Sequence, residues 1–184
     1  MNMRIAKVDV SQLVIIDVQT KLCPAMQEGA MQAVLKNINI LTQAANLLQV
    51  PIVVTEQYPQ GLGATVPEIA QYIPHIKPIA KTAFSACKVP AFNQQCVRDK
   101  SQLILTGMEA HICVLQTAID LAQAGKQVFV VYDAIISRNP ANKANAIARM
   151  RDAGCILINT ESVVFEWLGK AEGDAFKAIS KLIR

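Results

Sequence analysis

The chain has 184 residues, 52% hydrophobic and 17% charged, with a formal net charge of +4. That composition excludes a disordered chain, which lacks the apolar surface needed to offset ordering entropy. The longest apolar runs, residues 13–16 and 128–132, fall far short of the roughly 20 residues of a membrane helix. Basic residues are scattered rather than gathered into a patch with aromatics, so neither nucleic acid nor membrane is expected as a partner.

Residues 1–10 alternate charge with small apolar side chains and lack the continuous apolar stretch of a signal peptide. Residues 13–17 follow as a short apolar run rich in β-branched side chains, a strand buried on both faces and ending in Asp17. Residues 30–49 place Ala33, Val34, Ile38, Leu41, Ala45 and Leu48 at helical spacing, and Pro51 marks the passage to a strand over 52–55. Residues 58–78 carry Pro59, Pro67, Pro74 and Pro78 together with Gly61 and Gly63. They read as a long connection with at most a short helix, the kind of loop that often carries function. Residues 79–81 form a short edge strand.

The second half is more regular. A strand over 102–106 leads to a helix over 112–124 closed by Gly125. A strand over 127–132 precedes a helix near 141–153 closed by Gly154, and 155–159 is the last strand. The tail, 161–184, holds one or two amphipathic helices. Its Val163, Val164, Phe165, Trp167 and Leu168 exceed what the sheet elements can bury, and such a patch marks an interface when exposed. Strands alternating with helices imply a mostly parallel sheet covered on both faces, in one α/β domain over 1–184.

Ligands of an open parallel sheet bind beyond the carboxyl ends of its strands, near the reversal of strand order. Asp17, Thr55, Lys81, the 107–111 turn and Asp133 fall there. Asp17 is either a cap or loop partner for a backbone amide or a site carboxylate. Cys113, at a helix start, is either a small core residue or a thiol made acidic by the helix dipole. Local pattern makes Lys81 an ordinary surface lysine. His111 stands too close in sequence to Cys113 for a direct pair, which leaves it a substrate-side or turn-capping role.

The five cysteines are odd in number and include no CxxC pair. They read as reduced thiols of a cytoplasmic protein. With only His75 and His111 and no HExxH, neither metal nor other cofactor is expected.

Asp17 with Val18 and Gln19, Lys81 with Thr82 through Ser85, and the 107–114 segment together resemble the isochorismatase-like cysteine hydrolases. Residues 54–68 are similar to the branch of isochorismatase domain-containing proteins. The resemblance implies a three-layer, six-stranded mostly parallel sheet of Rossmann-type order, with Cys113, Asp17 and Lys81 as the catalytic residues. It also implies a cis peptide between Met108 and Glu109, the amides of Glu109 and Cys113 facing an oxyanion, and a homo-oligomer. Gln19, Glu56, Gln57, Tyr58, Phe84 and His111 fall where substrate would lie. The histidines of the metal-binding nicotinamidases are missing from 55–59. The implied activity is hydrolysis of a small amide or related carbonyl compound through a thioester. The alternative is a catalytically silent oligomeric binding or scaffold member of the family.

Overall fold

The computed structural model describes residues 4–96 and 99–183. Met1, Asn2 and Met3 of the amino-terminal segment and Arg184 of the tail lie outside the described residues. The strands are β1 (Ser11–Ile16), β2 (Ile52–Gln57), β3 (Ile79–Lys81), β4 (Gln102–Met108), β5 (Gln127–Ile136) and β6 (Ile156–Ile158). The helices are α1 (Glu28–Leu47), α2 (Pro59–Leu62), α3 (Pro67–Ala70), α4 (Pro90–Gln95), α5 (Leu115–Gln123), α6 (Pro140–Asp152), α7 (Thr160–Leu168) and α8 (Gly173–Leu182).

All strand pairs are parallel, and the sheet runs β3-β2-β1-β4-β5-β6. All six residues of β1 are buried. Its side chains alternate between two cores, as a pleated strand requires. Leu13 and Ile15 pack with α1, α7 and α8, while Val14 and Ile16 pack with α4, α5 and α6. A strand sandwiched this way has no solvent face, which explains the unbroken apolar run in the sequence. β1 pairs with β2 on one side and β4 on the other, so the chain order reverses about it. Asp17 therefore leaves the sheet at the point where an open α/β fold forms its crevice.

Gly107 sets the spacing there. It pairs with Ile16, has φ of +116°, and a Cβ added to it would stand 2.0 Å from the Ile16 carbonyl oxygen. Only glycine permits that approach.

Several elements differ from the sequence reading. The 58–78 connection holds two single-turn helices, α2 and α3, each opened by a proline at its start. Proline suits that position because its missing N–H would be unpaired there anyway. The connection is also tied back by an isolated antiparallel bridge between Gln19 and Thr65. β2 continues through Glu56 and Gln57, and β5 extends four residues beyond the expected end, so Asp133 lies within β5 rather than at its terminus. A register shift opposite Leu105 and Gly107 accommodates the extra length.

The apolar tail residues are not an exposed patch. Val163, Val164 and Trp167 of α7 are buried in the α1-side core, and the Trp167 indole Nε1 donates to Ser11 Oγ at 3.0 Å. The sequence reading undercounted the cover available: α7 lies on α1 as well as on the sheet, giving its apolar face two surfaces to bury against. Phe165 alone of the large residues in that run is exposed.

Candidate active site

β1, β2, β3 and β4 converge their carboxyl ends on one buried polar cluster. Asp17 has φ of 54°, a left-handed turn at the exit of β1. Its Oδ2 meets Lys81 Nζ at 2.6 Å, and both side chains are fully buried. Its Oδ1 accepts from Thr55 Oγ1 at 2.7 Å. A buried ion pair of this kind is tolerated only when the remaining donors and acceptors are satisfied. Lys81 meets that condition: Nζ also donates to Gln57 Oε1 at 2.7 Å and to the carbonyls of Phe84 at 3.2 Å and Ala83 at 3.3 Å. The pairing of Gln57 with Lys81 across β2 and β3 fixes that geometry in the backbone register.

Cys113 enters from β4. After the cis peptide between Met108 and Glu109, residues Ala110–Val114 form a π-helical turn that runs into α5. Cys113 sits inside this turn with 6% of its surface exposed, its thiol within hydrogen-bond reach of Asp17 and Lys81. Burial, then the Asp17 carboxylate, push the thiol up from 9.0 to about 12, against the opposing pull of Lys81. The expectation that a helix start acidifies this thiol is therefore corrected. Cys113 follows three residues of π turn and lies in a nearly closed site, where loss of hydration disfavours the thiolate. Burial also raises Cys23, Cys87 and Cys155 to about 11 and moves Cys96 the same way.

The other residues singled out from sequence separate into two groups. Gln19 is fully buried and spent on backbone: its Nε2 donates to the carbonyls of Gln57 and Gly63, and its Oε1 accepts from Gln57 N. Glu56 Oε1 accepts from the Thr65 amide and hydroxyl, both at 2.7 Å, and so fastens the long connection. Gln57 holds Lys81 and donates to the Thr82 carbonyl at 2.8 Å. These three side chains build the walls. Tyr58 and Phe84 are more than half exposed, and Tyr58 lines a cavity of about 360 Å³ together with Lys81 and Lys88.

Glu109 is buried and paired with Arg138 Nε, while its second oxygen accepts from the Arg138 amide at 3.3 Å and faces His111 Nδ1 at 3.4 Å. His111 in turn contacts Ser137 Oγ at 2.9 Å and Asn142 at 3.3 Å. Both residues thus belong to a polar strap between the π turn and the β5–α6 junction. Thr55 had been marked only as a strand end, and Arg138, Ser137 and Asn142 carry no local sign of their role. Strand register and the β5–α6 loop bring them in.

Among the described residues no group of three or more His, Cys, Asp or Glu side chains is placed to hold a metal ion. Likewise, no helix among them is long and apolar enough to cross a membrane.

A parallel sheet of order 3-2-1-4-5-6, with a buried Asp–Lys pair and a cysteine at its switch point, defines a three-layer α/β protein with a site suited to hydrolytic chemistry. The sequence matches the family model for the isochorismatase domain over residues 11–162, and the chain belongs to the isochorismatase family, in the branch of isochorismatase domain-containing proteins. Isochorismatase domain-containing protein 2 of Homo sapiens is 44% identical over 147 residues, covering 78% of this chain and 69% of that one. A solved structure described as the MAR1 ribonuclease from Caenorhabditis elegans superposes with a TM-score of 0.90 at 35% identity, covering 96% of this chain and 91% of that one. The YcaC gene product of Escherichia coli, described as an octameric hydrolase of unknown specificity, has a TM-score of 0.89 at 24% identity. That match covers 97% of this chain and 89% of the other, and it is a likeness of fold.

Proposed function

We propose that the protein is a cysteine hydrolase that cleaves a small amide or related carbonyl compound. One observation carries the reading: the buried Asp17–Lys81 pair at 2.6 Å has the Cys113 thiol within reach of both members. Attack requires a thiolate, and this thiol rests protonated, so its proton must leave as the carbon–sulfur bond forms. Asp17 accepts that proton while Thr55 holds the carboxylate in place. Lys81 keeps its charge and balances the anion as it passes between oxygen and sulfur.

The carbonyl oxygen, negative after attack, is met by the amides of Glu109 and Cys113. Collapse breaks the carbon–nitrogen bond, and Asp17 returns the proton to the departing amine. Water then adds to the thioester with Asp17 again as base, releasing the acid and restoring the thiol. Every step is served by residues of this chain, with no metal or cofactor. Self-association, as in the octameric YcaC protein, and a reducing compartment suited to five free thiols belong to the same proposal.

A second reading, an RNA substrate, is favoured by the description of the Caenorhabditis elegans structure. The near-complete burial of Cys113 favours a small substrate over a polynucleotide. A panel of small amides and ureas, with RNA as a parallel arm, separates them. The expected result is turnover of an amide or urea, lost in Cys113→Ala, unaffected by chelator, and accompanied by an acyl adduct on the Cys113 peptide in mass spectrometry. RNA cleavage by the wild type that persists in Cys113→Ala, with no amide turned over, would overturn the proposal.

A further inference from the structure

A second cavity lies beside β5, apart from the Cys113 chemistry. It has a volume of about 400 Å³ and includes none of Asp17, Lys81 or Cys113 in its lining. That volume falls at the small end of the roughly 300–1,000 Å³ of small-molecule sites. Its walls are mainly apolar, built from Ala30, Ala33 and Val34 of α1 with Ile136 and Pro140 across from them. Lys143 of α6 completes it.

Lys143 is oddly placed for a residue with only a structural role. It stands one turn into α6, where the helix dipole disfavours a cation. Its Nζ makes no hydrogen bond or ion pair with the described residues, and burial pushes its pKa down. The charge that attracts it is Asp133, on the same lining, whose Oδ1 is already occupied by the Thr160 amide and hydroxyl at 2.9 Å each. Two other polar groups of the lining are also engaged: Asn37 Nδ2 donates to the Asp133 carbonyl at 2.7 Å, and Ser137 Oγ meets His111 Nδ1 at 2.9 Å. What the lining leaves without a hydrogen bond includes the Lys143 ammonium, beside walls that are mainly apolar. A single lysine offers a point charge rather than the forked or clustered donors that phosphate groups favour.

We propose that this cavity is a binding site for a small amphipathic monocarboxylate, its hydrocarbon body against Val34 and Ile136 and its carboxylate on Lys143. The site is independent of the hydrolase reading and stands or falls separately from it.

Isothermal titration of the full chain with hexanoate, and in parallel with hexanol and hexanamide, tests the assignment. Saturable hexanoate binding at least about tenfold tighter than either neutral compound is expected, a difference of about 1.4 kcal/mol. Lys143→Met keeps the stem and removes the charge, so it should abolish that preference, and Lys143→Gln should do the same. Val34→Trp fills the cavity and should eliminate binding of all three, with circular dichroism melting confirming that each variant is folded. The wild-type comparison of charged and neutral ligands needs no variant and decides by itself. Equal binding of hexanol, no saturation by hexanoate, or an unchanged hexanoate titration in Lys143→Met would overturn the proposal. The last result with a reduced light-scattering mass would make the cavity a contact between copies instead.

Discussion

Replacing Asp17 by asparagine should make Cys113 easier to alkylate even as it removes the proposed general base. In the wild type the thiol sits at about 12. At pH 8 its thiolate fraction is then on the order of 10⁻⁴. Asp17 contributes to that value through its charge and through its hydrogen bond. Two unit charges about 4 Å apart interact by roughly 4 kcal/mol at an effective dielectric of about 20, which caps the shift near three pKa units. Taking a third of that ceiling, because Lys81 stays and the site relaxes, Asp17→Asn should speed iodoacetamide labelling of Cys113 about tenfold at pH 8.

Lys81→Met acts with the opposite sign: it removes the one favourable charge and should slow labelling. The assay is timed alkylation with quantitation of the Cys113 peptide, using the other four thiols as internal references. Turnover should move differently, with Asp17→Asn losing on the order of 10²–10⁴ in rate. Adding Cys113→Ala to either variant should remove little more, since the groups act as one unit. Slower labelling in Asp17→Asn, or faster labelling in Lys81→Met, would refute the electrostatic account of the site.

The same thiol makes stability depend on alkaline pH. Its folded pKa lies above the unfolded value of 9.0, so its contribution is complete below about pH 9 and is lost as pH rises toward 12. Urea midpoints of wild type and Cys113→Ala should therefore converge over that window. Gly107→Ala forces a Cβ onto the Ile16 carbonyl at positive φ. It should destabilise by at least about 1–3 kcal/mol in urea unfolding. Trp167→Ala should cost about 3–5 kcal/mol as a core truncation while leaving the light-scattering mass unchanged. A lower mass with unaltered stability would return α7 to the role of an interface. Arg138→Ala removes a largely exposed cation from the buried Glu109 and should cost roughly 1–3 kcal/mol, with Glu109→Gln recovering part of the loss in the double variant.

The sequence by itself determined the alternation of strand and helix, because burial on both faces leaves a mark that no other strand environment does. Leu13 through Ile16 read as a strand buried on both faces, and the carboxylate ending that run read as a cap, a loop partner or a site residue. Asp17, Lys81 and Cys113 were singled out together only by the family resemblance that their motifs carry, since each taken locally had a plainer explanation. Tertiary structure decided the rest, because hydrogen bonds and electric fields depend on neighbours that lie far away in the chain.

The sequence separation of 38 between Asp17 and Thr55 says nothing of the 2.7 Å bond that orients the carboxylate. The sequence also cannot show that Gln57 faces Lys81 until β2 pairs with β3. Likewise, the short apolar strings of α7 look surplus until α1 and the sheet close over them. The state of Cys113 is the clearest case. A helix start lowers a thiol's pKa when the thiol is solvated, whereas burial beside a carboxylate raises it. Only the packed molecule settles which field prevails.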